Sequence, residues 1–189
     1  VFDPPEAVFA VNDQCENLTS RFENLSQNGD GLRLEYEWVF GDGDLSELTT
    51  PNHLYPSAGT YQPTLIVRDE NGCRDTFQRD HIVFANPDVA FDINNACRGT
   101  TLDLTNVTTV EPPQTITRYV WDFGDGITSL RENPLKVYAE SGVYQVQLTA
   151  ISSQGCKDTS TATLEIAEPP QASFDISLGC FPDTIRYFN

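Results

Sequence analysis

The sequence contains no methionine, two histidines, two tryptophans and only 11 basic residues against 28 acidic ones. None of its five cysteines forms a C-x-x-C pair, and His53 and His81 do not sit near any of them in sequence. That excludes the ligand spacing of a structural zinc site. The formal charge of −17 repels phosphate backbones and anionic lipid, which excludes nucleic acid and anionic membrane surfaces as partners. No apolar run approaches the ~20 residues of a membrane-spanning helix, so membrane insertion is not expected. A sustained helical period is also missing. With no methionine and an opening inside a linker-like string, the sequence reads as a window onto a longer protein. The absence of a signal peptide therefore carries no weight.

What is present is a repeat of 82–83 residues. Trp38 and Trp121 are 83 apart, as are Tyr55 and Tyr138, Gly59 and Gly142, Tyr61 and Tyr144, and Cys73 and Cys156. Cys15, Cys97 and Cys180 step by 82 and then 83. Self-similarity at a fixed period marks an array of like units. Pro4-Pro5, Pro87-Asp88 and Pro169-Pro170 begin three similar joints. Proline stiffens the chain and cannot donate to a strand ladder, so each joint reads as a short semi-rigid linker. The expected boundaries are a linker at 1–4, repeat one at 5–86, repeat two at 87–168 and the truncated start of a third unit at 169–189. In that third unit, residues 184–189 align with residues 19–24.

Within each repeat the apolar period is two. Leu34, Tyr36, Trp38 and Phe40 alternate with Glu35, Glu37 and Val39. Tyr119, Trp121 and Phe123 alternate in the same way in the second repeat. Tyr61, Leu65 and Val67, with Tyr144, Val146 and Leu148, mark a further strand in each. Alternating aromatic and β-branched residues mean half-buried strands. About seven short strands per unit around a central tryptophan predict an all-β chain of antiparallel, immunoglobulin-like sandwiches in tandem.

These residues also carry a resemblance. Trp121-Asp122-Phe123-Gly124-Asp125-Gly126 is followed by Asn133-Pro134, Val137-Tyr138, Ser141-Gly142-Val143-Tyr144 and Gly155-Cys156-Lys157-Asp158-Thr159. The first repeat has Trp38-Val39-Phe40-Gly41-Asp42-Gly43, Leu54-Tyr55, Ala58-Gly59-Thr60-Tyr61 and Gly72-Cys73-Arg74-Asp75-Thr76, with Val39 where the pattern has Asp. The chain resembles tandem PKD domains. Its cysteine-bearing form resembles the arrays of very long surface adhesins and gliding-motility proteins exported by type IX secretion. The resemblance implies an extracellular, non-catalytic stalk whose partners are neighbouring PKD repeats of the same chain. PKD domains also occur in secreted hydrolases, so the alternative is an accessory module that binds surface glycan or protein.

Each candidate site has a plainer reading beside it. Asp42 with Asp44, and Asp122 with Asp125, offer carboxylates to Ca²⁺. Two are too few for an ion that takes ~6–8 oxygens, and turn chemistry accounts for them. No cofactor is therefore expected. Trp38 and Trp121 could stack on sugars, but they share a strand face with other aromatics, and so read as core together with Tyr61 and Tyr144. His53 and His81 lack the partners of a catalytic triad and read as ordinary surface or strand histidines. Asn17, Asn24 and Asn106 head glycosylation sequons, but Asn24 and Asn106 share a repeat position and read as structural turns. Asp183-Thr184-Ile185 is a short match to a bacterial O-glycosylation acceptor. Phe77 and Phe84 do not recur and stand as candidates for an exposed patch.

Repeat-equivalent cysteines suggest disulfides and an oxidising compartment. The default pairing is within a repeat, Cys15 with Cys73 and Cys97 with Cys156. In an immunoglobulin-like order these lie in turns at opposite ends of a sandwich. A six-residue strand spans ~20 Å, whereas a disulfide needs Cα atoms within ~7 Å. That favours an inter-repeat bridge from Cys15 to Cys156, with Cys73 awaiting a unit upstream, and Cys97 and Cys180 unpaired in this chain.

Overall fold

The computed structural model describes residues 4–28 and 31–173, and the backbone of 175–177 and 186–188. The first repeat runs through β1 (Phe9–Ala10), β2 (Gln14–Cys15), β3 (Ser20–Arg21), β4 (Glu23–Asn24), β5 (Leu34–Val39), β6 (Leu45–Ser46), β7 (Asn52–His53), β8 (Gly59–Tyr61), β9 (Thr64–Asp69), β10 (Arg74–Gln78) and β11 (His81–Phe84). The second runs through β12 (Phe91–Asp92), β13 (Ala96–Cys97), β14 (Thr101–Asp103), β15 (Thr105–Asn106), β16 (Ile116–Asp122), β17 (Thr128–Ser129), β18 (Leu135–Val137), β19 (Gly142–Ser152) and β20 (Lys157–Ala167). β21 (Asp175–Ser177) and β22 (Arg186–Phe188) pair antiparallel beyond them. The described residues contain no helix, and the fold is all-β sandwich throughout. The rest of the third unit, including Cys180 and Asp183-Thr184-Ile185, lies outside the described residues.

One proline accounts for the main difference between the repeats. In the second, β19 and β20 are unbroken over 11 residues each and join a five-stranded sheet in the order β13-β20-β19-β16-β17. In the first, the same path is cut into β8 and β9, and into β10 and β11. The sheet divides into β10-β9-β5-β6 and β2-β11-β8. Pro63 stands at the cut where the second repeat has Val146. Proline has no N–H to give the ladder, so pairing stops there.

Each repeat has its own core. Trp38, fully buried, meets Phe9 edge-on at 5.1 Å and Phe22 at 5.4 Å, and pairs across strands with Leu65. Trp121 is likewise fully buried, meets Phe91 at 5.0 Å, and pairs with Leu148. Each indole N–H donates to a backbone carbonyl, Leu48 at 2.9 Å and Arg131 at 3.0 Å. No residue belongs to both buried clusters. Phe77 packs edge-on against Phe9 at 5.3 Å and is half-buried, as is Phe84. Phe77 packs against the first core, and neither side chain is exposed.

The glycines after the tryptophan strand are required by geometry. Gly124 has φ +75, and a Cβ there would lie 2.6 Å from the Gln145 carbonyl oxygen. Gly126 has φ +84 but open space around it. Gly124→Ala should therefore cost more than the ~1–2 kcal/mol of a left-handed residue alone, and Gly126→Ala no more than that. Urea midpoints of the second repeat in the two variants check this. Equal midpoints would show that the Gln145 backbone yields.

Candidate functional site

The Gly-Asp-Gly turn after each tryptophan strand points a carboxylate back into the fold. Asp42 Oδ1 accepts from the Asp44 amide at 3.1 Å, and Oδ2 accepts from His53 Nε2 at 2.6 Å. His53 is fixed by stacking flat on Phe40, with centroids 4.1 Å apart, and by meeting Tyr55 edge-on at 4.5 Å. Burial pushes the Asp42 carboxyl up. The His53 hydrogen bond and the backbone donors outweigh that and hold it below the usual carboxylate value.

The second repeat builds the same arrangement from a different cation. Lys136 occupies the position of His53, 83 residues on, and its ammonium sits 2.5 Å from Asp125 Oδ2. It lies 4.9 Å from the Phe123 ring centroid and 5.0 Å from that of Tyr138. The ammonium thus meets a carboxylate and two aromatic faces. The Asp42 side chain is largely buried and the Asp125 side chain less so, and each repeat supplies a basic partner from the same strand position.

The candidate calcium ligands resolve accordingly. Asp42, Asp44 and His53 bring three ligand atoms within 4.8 Å of one another. In the second repeat Asp122 Oδ1 caps the Gly124 amide at 2.9 Å, while Asp125 Oδ1 accepts from the Ile127 amide at 3.1 Å and Oδ2 meets Lys136. The sequence reading also missed His53 as a partner of Asp42. Its signal was the matching basic residue at 136.

His81 is buried as well, not a surface residue. It shares a 2.8 Å hydrogen bond through Nε2 with Ser20 Oγ, and its Nδ1 lies 3.5 Å from Asp13 Oδ1. Three residue types of a nucleophilic triad thus converge, but Ser20 and His81 are both fully buried. Phe22 at 6.0 Å and Tyr55 at 5.2 Å crowd the imidazole. A substrate carbonyl has no route to Ser20, so attack is geometrically closed. The second repeat has Leu102 and Leu164 in place of the pair, both buried. No catalytic site is assembled among the described residues.

Burial lowers the His81 pKa, outweighing the nearby Asp13 charge, with Arg79 acting in the same direction as burial. The unfolded chain then binds more protons than the folded one below the ordinary histidine value of about 6.5. Stability of the first repeat should be complete above that pH and fall as pH drops through it. Asp42 adds a further loss at lower pH, below the unfolded aspartate value. In Ser20→Leu/His81→Leu the upper loss should vanish, as paired apolar replacement is nearly neutral. His81→Leu alone should cost ~1–3 kcal/mol by stranding the Ser20 hydroxyl. Denaturant midpoints from pH 8 to 5 test this, and a double variant with the wild-type pH profile would refute it.

The tyrosines of both repeats bind backbone. Tyr61 donates to the Ser57 carbonyl at 2.8 Å and Tyr144 to that of Glu140 at 3.0 Å, both half-buried against their cores. Tyr55 and Tyr138 donate to Phe40 and Phe123 carbonyls, and burial pushes their hydroxyls above the ordinary phenol range. Asn24 and Asn106 accept from the amides of Ser26 and Thr108, both at 3.0 Å. No aromatic side chain among the described residues is exposed, so no sugar-stacking platform is presented.

Cys15 and Cys156 are joined, with Cα atoms 5.4 Å apart, and link the two repeats. Cys73 and Cys97 are free thiols, which corrects the within-repeat alternative of Cys15–Cys73 and Cys97–Cys156. The reason is strand length. Cys97 pairs with Ala167 at the far end of β20, whereas Cys156 precedes Lys157 at its start. Eleven residues at ~3.3 Å put roughly 35 Å between them. The joint is further tied by Gln114 Nε2 donating to the Ala85 carbonyl at 3.0 Å, and the Asn86 amide, at the end of the first repeat, is anchored on that repeat's Glu16 Oε1 at 2.8 Å.

Comparison with known proteins agrees with this geometry. The PKD domain model matches residues 3–84 and again 85–167. Collagenase ColA of Bacillus cereus is 42% identical over 55 residues, 29% of this chain and 6% of that protein. Pre-pro-metalloprotease PrtV of Vibrio cholerae is 38% identical over 66 residues, 35% of this chain and 7% of its own length. The chain thus spans less than a tenth of these relatives. Among solved structures, the PKD1 domain of Vibrio anguillarum Epp is 31% identical, covers 44% of this chain and 96% of its own, and has a TM-score of 0.41. The disulfide between the repeats fits an oxidising, extracytoplasmic compartment. With both repeats matched from the tryptophan turn to the cysteine turn, the chain belongs to the PKD domain family.

Proposed function

We propose that this chain is a non-catalytic spacer that holds parts of a longer extracellular protein apart at a fixed angle. The observation that carries the reading is the covalent bond between a turn of one repeat and a turn of the next, across a linker of a few residues. Inter-domain joints within a chain are ordinarily free to bend. A disulfide beside the linker, with the Gln114 hydrogen bond to Ala85, opposes that bending.

Two settings suit such a spacer. An accessory module of a secreted hydrolase has the support of the collagenase and metalloprotease relatives. The stalk of a surface adhesin or gliding-motility protein rests on the sequence resemblance alone. In neither setting does this segment do chemistry.

Small-angle X-ray scattering of the oxidised chain and of Cys15→Ser/Cys156→Ser tests the spacer. The oxidised chain should fit one interdomain arrangement, and the variant a broad ensemble with a smeared maximum dimension. Equally broad ensembles for both would defeat the reading.

A further inference from the structure

Cys73 and Cys97 are presented in the same way as the two cysteines that are bonded. Cys97 pairs in parallel with Ala167, as Cys15 does with Phe84, 83 residues earlier. The following residue is fixed identically. The Arg98 amide donates to the Ala167 carbonyl, and the Glu16 amide to that of Phe84, both at 2.8 Å. Cys73 occupies the turn of Cys156. The Asp69 amide donates to the Cys73 carbonyl at 3.0 Å, and the Ser152 amide to that of Cys156 at 2.8 Å. Gly72 and Gly155 precede them at φ +84 and +83. One repeat thus offers the free thiol of each kind that the other repeat has bonded.

A second observation lies beside Cys73. In the second repeat Ser152 Oγ donates to Gln114 Oε1, and Gln114 Nε2 reaches the Ala85 carbonyl of the preceding unit. Asp69 stands in the place of Ser152 and is 4% exposed. Its Oδ1 accepts from the Asn71 and Cys73 amides, while buried Oδ2 has no hydrogen-bond partner among the described residues. Buried carboxylate oxygens are rarely left so, and this one sits at the face a preceding unit would cover. Burial of the two turn cysteines agrees. Cys156, covered by the first repeat, is 1% exposed, whereas Cys73 is half-buried.

We infer that Cys97 and Cys73 are covalent docking points for further PKD units. Cys97 bonds the Gly-Cys turn of a following unit, and Cys73 is bonded by the β2-type cysteine of a preceding one. The preceding unit also brings a donor to Asp69 Oδ2. Each bond forms by exchange with a low-molecular-weight disulfide. Two protein thiols become one protein disulfide, and the reagent disulfide takes up the two electrons and two protons as two thiols. The inference extends the spacer reading, since one staple per joint makes a continuous rod.

Non-reducing peptide mapping of the native protein, alkylated before digestion, tests it. The expected result is Cys97 linked to a Gly-Cys-(Lys/Arg)-Asp-Thr peptide other than those of Cys73 and Cys156, and Cys73 linked to a peptide of the Cys15 type. Alkylated Cys97 or Cys73, or a Cys97–Cys180 link, would overturn it. Because each repeat has a self-contained core, a chain of residues 1–168 followed directly by a second copy of 87–168, and ending there, tests the same point. It holds six cysteines: Cys15, Cys73, Cys97 and Cys156, plus the appended copies of Cys97 and Cys156. After refolding with oxidised glutathione, two bonds leave two maleimide adducts, and Cys97→Ser raises this to three. Four adducts before substitution would refute the inference. The Cys15–Cys156 bond and the scattering test would stand, so failure here is separable from failure of the spacer reading.

Discussion

Trp38→Ala or Trp121→Ala should destabilise its own repeat by about 3–5 kcal/mol, the range for truncating a large aromatic in a closed core. Both indoles are fully buried, and both carry an N–H whose removal also strands a carbonyl, that of Leu48 or Arg131. A unit of about 80 residues has marginal stability, so a loss of this size approaches its whole reserve. Because the two cores share no residue, the neighbour should keep its own transition. Denaturation followed by the remaining tryptophan reads each repeat separately. Unchanged midpoints would mean that the indoles are not core supports. Loss of both repeats together would mean that the units are not independent.

Removing the Cys15–Cys156 bond should have the next largest effect, on coupling between the repeats. The bond closes a sequence separation of 141 residues, for which the chain-entropy relation gives about 5 kcal/mol. That is an upper figure, because the penalty falls in full only on a chain with both repeats unfolded. Oxidised protein should therefore unfold later and over a narrower denaturant range than Cys15→Ser/Cys156→Ser. The variant should show two separate transitions. A variant that retains one transition at the original midpoint would show that the Gln114 hydrogen bond to Ala85 holds the joint unaided.

Much of the fold was readable because its causes are local. Strand alternation places Trp38 and Trp121 inward by period alone, and the Gly-Asp-Gly strings announce the turns behind them. The cut in the first sheet is written in Pro63. The two buried polar clusters were harder. His53 and Asp42 are 11 residues apart with a strand between them, and no period relates them. Comparing the repeats would have exposed them, since His53 aligns with Lys136 and the Ser20–His81 pair aligns with Leu102 and Leu164. Paired exchanges of that kind mark spatial neighbours.

The sequence by itself determined the family, the two-fold repetition, the all-β class and the inward face of each strand. These depend on residues one to four positions apart and on equivalence between copies. Only the tertiary structure decided which cysteines meet, which carboxylate each cation serves, and that an Asp13–His81–Ser20 alignment is sealed from substrate. Those outcomes depend on which strand ends share a side of the sandwich, and on how the second repeat docks on the first. Residues that meet there are separated by 11 to 141 positions. No local pattern encodes such a distance. It is set by packing of the two cores and by the few residues of linker between them.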